Sequence, residues 1–406
     1  MGTIFRINKD GSNFVKLFDF KDKETGVLPT GQLTLIGSTL FGTTSGGFSE
    51  IDYGNIYKIN VDGTGHTILH EFDLTNGANP NGSLIFHKGH LYGITLSGGK
   101  ENHGVVFKIN LDGTGFAKIS DNTDLDTGEN SYNGITVSDD DVIYGVTAVD
   151  YEGVFRLNTD GTGLKKIFEM NYESGGISYC KPLLINDELY IATSEYGANA
   201  MGTIFKIKTD GTGFTILYNF EGIDDNSDAD LCSNSSLLLH NGFLYGTANN
   251  VINKHGYLYK INLDGTGFTK LSDFNGEKGS IPYLCDLIID DKEDIYGLTT
   301  FGGKYSGGII YKYSLEEPST SVQDITDKTQ VQIFPNPTNG KLQLRFDQVP
   351  ESETWITVHD IYGEIILKAQ VFNKEENINL IGKSPGLYLI KVDSGKSNRT
   401  YKIVLE

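Results

Sequence analysis

An aromatic residue followed by a cation recurs along this chain, at Phe5-Arg6, Tyr57-Lys58, Phe107-Lys108, Phe155-Arg156, Phe205-Lys206, Tyr259-Lys260 and Tyr311-Lys312, at intervals of about fifty residues. An Asp-Gly pair follows all but the last copy, at Asp10-Gly11, Asp62-Gly63, Asp112-Gly113, Asp160-Gly161, Asp210-Gly211 and Asp264-Gly265. Between these signals lies an apolar run, a short turn and an "LYG" triplet, as in "SLIFHKGHLYGI" and "LLLHNGFLYGT". Each unit therefore reads as four short strands, a to d, with tight a–b and c–d hairpins. Asp-Gly suits the c–d turn because type I′ and related turns need positive φ. Such small sheets, partly apolar on both faces, cannot bury themselves alone. Packing them radially about an axis hides both faces, which predicts an all-β chain dominated by a β-propeller of about six to seven four-stranded blades. No segment shows helical spacing, which excludes a helical solenoid. Trp355, the only tryptophan, lies outside the repeats, against a WD or kelch propeller.

The order along the chain is c, d, five full a-b-c-d units, then a, b, c. Met1 thus falls inside a strand c whose own a and b are absent, and "MGTIF" recurs at 201–205. This suggests that the text opens partway through a longer protein. Strand d at "NFVKLFDF" is expected to be free to complete the last sheet. That closure would give about six blades and one spare strand, whereas a longer parent would more naturally have seven.

A formal charge of −20, spread along the chain, excludes a nucleic-acid surface, which needs clustered Lys and Arg. No apolar run reaches the length of a membrane span, and no secretory leader opens the text. A monomer is expected. Gly is abundant at 50 residues and Pro scarce at 9, which fits many tight turns between short strands. Cys180, Cys232 and Cys285 lie near the start of strand a in three successive units. They read either as buried small hydrophobes or as one disulfide and one thiol near the channel.

The long b–c and d–a links crowd one end of the propeller, where ligands are expected. Tyr53, Tyr151, Tyr196 and Tyr305 recur near one position of the b–c loops and form candidate sugar-stacking groups. His103, another candidate, is matched by His255 three units on; the two are too far apart to share a metal. Asp224, Asp225, Asp228 and Asp230 could hold calcium, but the spacing lacks the Gly and closing Glu of an EF-hand, and a solvated acidic loop is the plainer reading. The repeated "DGTG" is a hairpin turn and not a phosphate loop, since no GK[ST] follows. Asp150 with Glu152, and Glu195, are the loop carboxylates that could serve a glycosidase. No HExxH, GxSxG or Cys-His pairing is present, so neither metal nor cofactor is implied. The cation after each aromatic is present in all seven copies and reads as structural, its stem over apolar surface and its head in water or near a neighbouring acid.

"LFGTTSGGFSEIDYGNIYKINVDGTG" and "LYGITLSGGKENHGVVFKINLDGTG" resemble the GloVer tandem repeats of bacterial secreted proteins, named for Gloeobacter-type and Verrucomicrobia-type sequences. The resemblance covers about residues 1–315. It implies a propeller-like fold and a surface location, and no particular reaction.

After residues 316–330, a Ser/Thr/Asp-rich linker, the period stops. Residues 331–406 alternate as short strands expected to form an Ig-like β-sandwich with a modest core. Pro335 and Pro337 suit an edge, and Asn339-Gly340 a hairpin. "IFPNPTNGKLQL", with Pro335, Asn336, Pro337 and Gly340, then "ITVHDIYGEII" with Gly363, "GLYLIKVDSG" with Gly386 and Tyr388, and a terminal "YKIVLE" resemble the type A C-terminal sorting domain of type IX secretion. The resemblance implies export across the outer membrane of a Gram-negative cell. It also implies a translocon and a sortase-like peptidase as partners, and a conventional leader for the inner membrane. Two functions fit: a non-enzymatic, surface-displayed or released module binding a glycan or protein, or a glycoside hydrolase or lyase on the same scaffold. The first is the reading adopted.

Overall fold

The computed structural model describes residues 2–22, 24–46, 52–122, 134–147, 153–221, 230–232, 235–250, 255–282, 286–315, 331–346, 349, 354–360, 365–393 and 398–405. Two compact units divide at Leu315, Met1–Leu315 and Glu316–Glu406. All regular elements among the described residues are strands, and none is a helix able to cross a membrane.

Seven antiparallel sheets follow one another in the first unit. The first pairs β1 (Gly2–Arg6) with β2 (Val15–Phe20). The second runs β3 (Pro29–Ile36), β4 (Thr39–Thr44), β5 (Asn55–Asn60), β6 (Thr67–Glu71), and the third β7 (Ile85–His87), β8 (His90–Ile94), β9 (Val105–Asn110), β10 (Ala117–Asp121). The fourth holds β11 (Ile135–Val137), β12 (Val142–Thr147), β13 (Gly153–Asn158), β14 (Lys165–Glu169), and the fifth β15 (Leu183–Ile185), β16 (Glu188–Ala192), β17 (Thr203–Lys208), β18 (Thr215–Asn219). In the sixth, β19 (Asp230–Cys232) and β20 (Leu238–His240) both pair with β21 (Phe243–Asn250), followed by β22 (Gly256–Asn262) and β23 (Thr269–Phe274). The seventh has β24 (Ile288–Ile289), β25 (Asp294–Thr299) and β26 (Ile309–Ser314).

This is the strand order read from the repeats, with two corrections: the sixth sheet carries an extra strand, β19, and the expected closure by β2 is not made. β2 does not complete the last sheet. Among the described residues it pairs with β1, its neighbour across the tight turn, through a register running from Gly2↔Phe20 to Arg6↔Val15, and the seventh sheet runs no further than β26.

The "LYG" triplet and the aromatic before the cation explain each other. The ring of strand c lies across the strand b glycine: a Cβ on Gly42, Gly93, Gly145, Gly246 or Gly297 would collide with Tyr57, Phe107, Phe155, Tyr259 or Tyr311. In the second to sixth sheets strand c is buried on both faces, so the apolar cores form between sheets rather than within them. Phe41, Ile56 and Phe72 of the second sheet's unit pack with Leu91, Phe107 and Ile109 of the third, and Tyr144, Val146 and Val154 of the fourth with Leu189, Phe205 and Ile207 of the fifth. Burying one such Phe contributes about 2–3 kcal/mol.

Every c–d pair shifts register at one place, as between Ile56 and Tyr57, between Lys118 and Ser120, or between Ile204 and Phe205. The extra residue of this repeated bulge lies in strand d each time, Leu69 in the second sheet, Ile119 in the third and Leu217 in the fifth. The c–d turn is wider than the type I′ turn expected. In the second sheet Gly63 and Gly65 take positive φ but Asp62 does not; instead the Asp62 carboxylate accepts from the amide (2.9 Å) and hydroxyl (2.7 Å) of Thr64. That hydroxyl and amide hold Asp62 below the usual carboxylate range, and the same pair acts on Asp112, Asp160, Asp210 and Asp264.

The charge of the recurrent cation reaches the turn aspartate of the following sheet, Arg6 acting on Asp62, Lys58 on Asp112 and Lys206 on Asp264. At the end of the series Lys9, in the first sheet's turn, pairs with Asp290 and Asp291 in the a–b turn of the seventh, both at 2.8 Å. Lys181, ahead of β15, reaches Asp286, ahead of β24, at 2.9 Å. Cys180 is buried and its thiol donates to the Ser235 carbonyl at 2.9 Å. Cys285 and the Cys232 side chain lie outside the described residues.

The second unit has two sheets about one core. A three-stranded sheet orders β27 (Val331–Phe334), β28 (Lys341–Phe346) and β31 (Glu375–Asn379). A four-stranded one orders β30 (Ile365–Gln370), β29 (Trp355–His359), β32 (Gly386–Asp393) and β33 (Asn398–Leu405). Leu342, Leu344, Phe346 and Ile378 meet Ile356, Val358, Ile390 and Ile403 between them. Pro335 and Pro337 flank Asn336, whose carboxamide behaves like a strand residue: Nδ2 donates to the Lys402 carbonyl (2.8 Å) and Oδ1 accepts from the Val404 amide (2.9 Å). Gly340, at φ 102°, accepts from Leu380, and the buried Tyr388 hydroxyl donates to the Ser384 carbonyl at 2.8 Å. Gly386 opens β32 on the surface, and Gly363 lies outside the described residues.

Candidate functional site

The fifth sheet brings a d–a link and a b–c link together. Tyr172, in the link after β14, and Tyr196, between β16 and β17, place their ring centroids 5.4 Å apart at 35°. Both rings face solvent, Tyr172 at 66 % exposure and Tyr196 at 43 %. Large aromatic surface left wet at a loop junction is the usual sign of a binding surface rather than of a core.

The backbone beneath is firmly tied. Gly176 and Glu195 exchange amide hydrogen bonds (2.7 and 3.1 Å), and the Gly197 amide donates to the Tyr172 carbonyl (2.8 Å). Asn199 reaches across to the Phe220 carbonyl at 2.9 Å, and Asn219 accepts from the Ala198 amide at 3.0 Å. Below these, the buried Thr203 hydroxyl donates to the Ser174 carbonyl at 2.6 Å.

The same frame recurs in other sheets, which identifies what is special here. The amides of Gly104, Gly202 and Gly308 donate to the carbonyls of Gly98, Tyr196 and Gly302, so these three residues are equivalent. All three are left-handed, at φ 81°, 60° and 87°. Glycine takes that conformation freely, whereas a tyrosine there carries strain of about 1 kcal/mol or more. The fifth sheet thus holds a large exposed ring at a position where the third and seventh have glycine.

The other candidates are dispersed. Tyr53, Tyr196 and Tyr305 stand at different places in the hydrogen-bond register. Tyr53 stands directly before the glycine that precedes strand c, as do His103 and His255, and it is half-buried against the core between the second and third sheets. Its carbonyl accepts from Asn79. Tyr305 lies beyond Gly302, 84 % exposed, with the Lys304 ammonium 5.3 Å from its ring centre. His103 is half-buried and its carbonyl accepts from Asn122 at 3.2 Å. His255 Nδ1 lies 3.0 Å from the Ser280 hydroxyl.

Tyr151, Asp150 and Glu152 lie outside the described residues, as do Asp224, Asp225 and Asp228, while Asp230 opens β19. Glu195 is exposed beside Tyr196. Among the described residues, no group of three or more His, Cys, Asp or Glu is placed to hold a metal ion. Sequence reading missed Tyr172; its signal would have been an aromatic in a d–a link at the residue whose carbonyl meets the glycine after Tyr196.

The family model described as Gloeobacter/Verrucomicrobia repeat matches residues 1–153 and again 148–333, and that described as Secretion system C-terminal sorting domain matches residues 332–406. No curated protein matches the chain. Similar solved structures include PorZ, an essential bacterial surface component of the type-IX secretion system of Porphyromonas gingivalis. It is 12% identical, over 93% of this chain and 51% of that one, with a TM-score of 0.44, so the chain spans about half the length of that protein. An oligogalacturonate lyase from Vibrio parahaemolyticus is also 12% identical, over 77% of this chain and 83% of that one, with a TM-score of 0.47.

Proposed function

Because the chain belongs to the Gloeobacter/Verrucomicrobia repeat family, and its tail directs export by type IX secretion to the cell surface or extracellular space, we propose that it is an exported glycan-binding module whose ligand stacks on Tyr172 and Tyr196. The seven sheets are the blades of a propeller, a reading supported by the Lys9 pairs between the first and seventh sheets and by the reach of Lys181 to Asp286. The tail is an Ig-like sandwich, removed or kept after recognition by the translocon and its peptidase.

The observation that carries the reading is Tyr196 itself. A side chain held in a conformation its equivalents reserve for glycine, with its ring turned to solvent against a second ring, is the kind of locally unfavourable arrangement that persists for binding. The apolar C–H face of a sugar ring fits such a platform, and a rigid backbone keeps the ordering cost of binding low. A net charge of −20 disfavours polyanionic glycans, so the ligand is a neutral one.

A glycan array followed by calorimetry on the full chain tests this. Tyr172→Ala and Tyr196→Gly should each weaken the best neutral ligand about tenfold or more, equivalent to about 1.4 kcal/mol. Undiminished binding by the double variant would overturn the assignment. Protection that maps to protein ligands alone, with no glycan bound, would replace it with protein recognition.

A further inference from the structure

From the second sheet to the sixth, the c–d turn docks on strand d of the sheet before. A Cβ on the turn glycine Gly63 would lie 2.7 Å from the Leu17 carbonyl oxygen, and one on Gly113 3.1 Å from that of Leu69. Where the fourth sheet meets the fifth and the fifth the sixth, the residue after the turn stacks on the fourth residue of that strand, Phe214 on Phe168 (5.1 Å, 20°) and Phe268 on Tyr218 (3.9 Å, 5°). At the first two junctions one ring of each pair is an imidazole instead. His66 lies on Phe18 (4.1 Å, 14°), and Phe116 lies on His70 (3.5 Å, 7°).

Both histidines belong to the second sheet, His66 directly before β6 and His70 within it, so its two junctions carry one each. Further rings close round them: Phe20 and Tyr57 stand 6.0 and 5.6 Å from His66, and Phe72 stands edge-on to His70 at 5.0 Å. The Nε2 atom of each imidazole is buried and without a hydrogen-bond partner among the described residues. A neutral imidazole stacks there much as a phenyl ring does. An imidazolium carries N–H at both nitrogens, so charging either ring leaves a charged N–H buried at Nε2 with no acceptor. The pull of the facing ring on a cation is weaker than the cost of taking that charge out of water.

The charged groups on the elements packed against the two rings are engaged elsewhere. Lys16 pairs with Asp19 on β2 at 2.6 Å, and Lys118 with Asp121 on β10 at 2.9 Å. Arg6 of β1, Lys58 of β5 and Lys108 of β9 act on the turn aspartates Asp62, Asp112 and Asp160, which their threonines already hold. Burial keeps the Tyr57 hydroxyl protonated. Asn76, Asp73 and Glu71 favour a charged His70, but burial outweighs them, and burial alone acts on His66. Both imidazoles are therefore held below their ordinary value of 6.5.

We propose that His66 and His70 make the second sheet an acid-operated joint, whose two junctions loosen on protonation while the phenyl and phenol junctions further along hold. The first sheet, β1 with β2, is the part expected to open. The folded values lie below the unfolded ones, so the contribution is fully present above 6.5 and is lost as pH falls through the lower folded values. That window lies above the one in which the turn aspartates titrate. The joint is independent of the glycan reading, since it uses none of the same residues.

NMR of the full chain, labelled at histidine, follows the imidazoles from about pH 8 to about pH 5, while hydrogen exchange corrected for intrinsic rate reads protection strand by strand. The signals that vanish in His66→Phe and in His70→Phe should titrate below 6.5. Protection of Val15–Phe20 and Thr67–Glu71 should fall about tenfold or more with acid, and that of Thr203–Lys208 should stay constant. The two changes install the ring chemistry of the later junctions, so the double variant should fold, keep its melt at neutral pH and lose the acid response. Titration of either ring at or above its ordinary value in the unaltered chain would overturn the proposal. So would protection that acid leaves unchanged, a loss spread evenly over the later sheets, or a loss that the double variant retains.

Discussion

The two units solve the problem of burial in opposite ways. In residues 1–315 the apolar clusters form between successive sheets, so strand c of each inner sheet serves two neighbours. In the tail one cluster fills the space between two sheets, and its members come from strands far apart in sequence. The first design makes stability a chain of nearest-neighbour terms, as in other repeat architectures. The second makes it a single cooperative quantity, set by a core that a chain of about 75 residues can only just supply. A tail recognised as a unit gains from being separately folded, whereas the repeat unit gains a long rim of loops.

The largest expected effect is at an inter-sheet core. Phe205→Ala removes a fully buried ring between the fourth and fifth sheets and should cost about 3–5 kcal/mol. Scanning calorimetry should show the transition of the repeat unit falling while that of the tail stays in place. Movement of both together would break the comparison. Next, Ile390→Ala in the tail core should cost about 2–4 kcal/mol and shift only the tail transition.

Asn336→Ala should cost the tail about 1 kcal/mol by removing two hydrogen bonds to the last strand, and hydrogen exchange at Val404 should accelerate. Tyr196→Gly should act in the opposite sense, leaving the repeat unit as stable or more stable by up to about 1 kcal/mol while binding is lost. A variant that both destabilises and fails to bind would argue that the ring is structural.

The smallest effect concerns pH. Asp62, Asp112, Asp160, Asp210 and Asp264 are held below the ordinary carboxylate range, first by the threonine hydroxyl and then by its amide. Folded values lower than unfolded ones mean that the contribution is fully present above the unfolded value and fades as pH falls through the lower folded values. Acid titration should therefore weaken the repeat unit, and Thr64→Val with Thr114→Val should flatten that dependence.

Much of this fold was legible because the period is long, the turns are chemically marked and in five of the sheets the strand c aromatic faces a strand b glycine. The bulge in strand d was not, since its extra residue, Leu69 in the second sheet, is one more apolar residue in a half-buried strand. Which of the related turns forms was not legible, because Asp and Thr can satisfy one another without a left-handed aspartate. The fate of β2 hinged on pairing between chain-distant strands, which the pattern of apolar residues does not decide. At the site, Tyr196 stood out, but as one of several tyrosines in Gly-rich loops. Its partner Tyr172 sits in a link whose length and composition vary from unit to unit, so only three-dimensional register ties it to the glycine after Tyr196. The carboxylates Asp150 and Glu152 fall in a segment outside the described residues.

The resting of the turn glycines from Gly63 to Gly265 on strand d of the sheet before gives the array a direction of growth. A nascent or freshly translocated sheet finds its seat already finished by its predecessor and finishes, in turn, the seat for the next. Assembly can then advance from one end like courses of masonry, with no long-distance partner awaited until the Lys9 pairs bring the last course against the first.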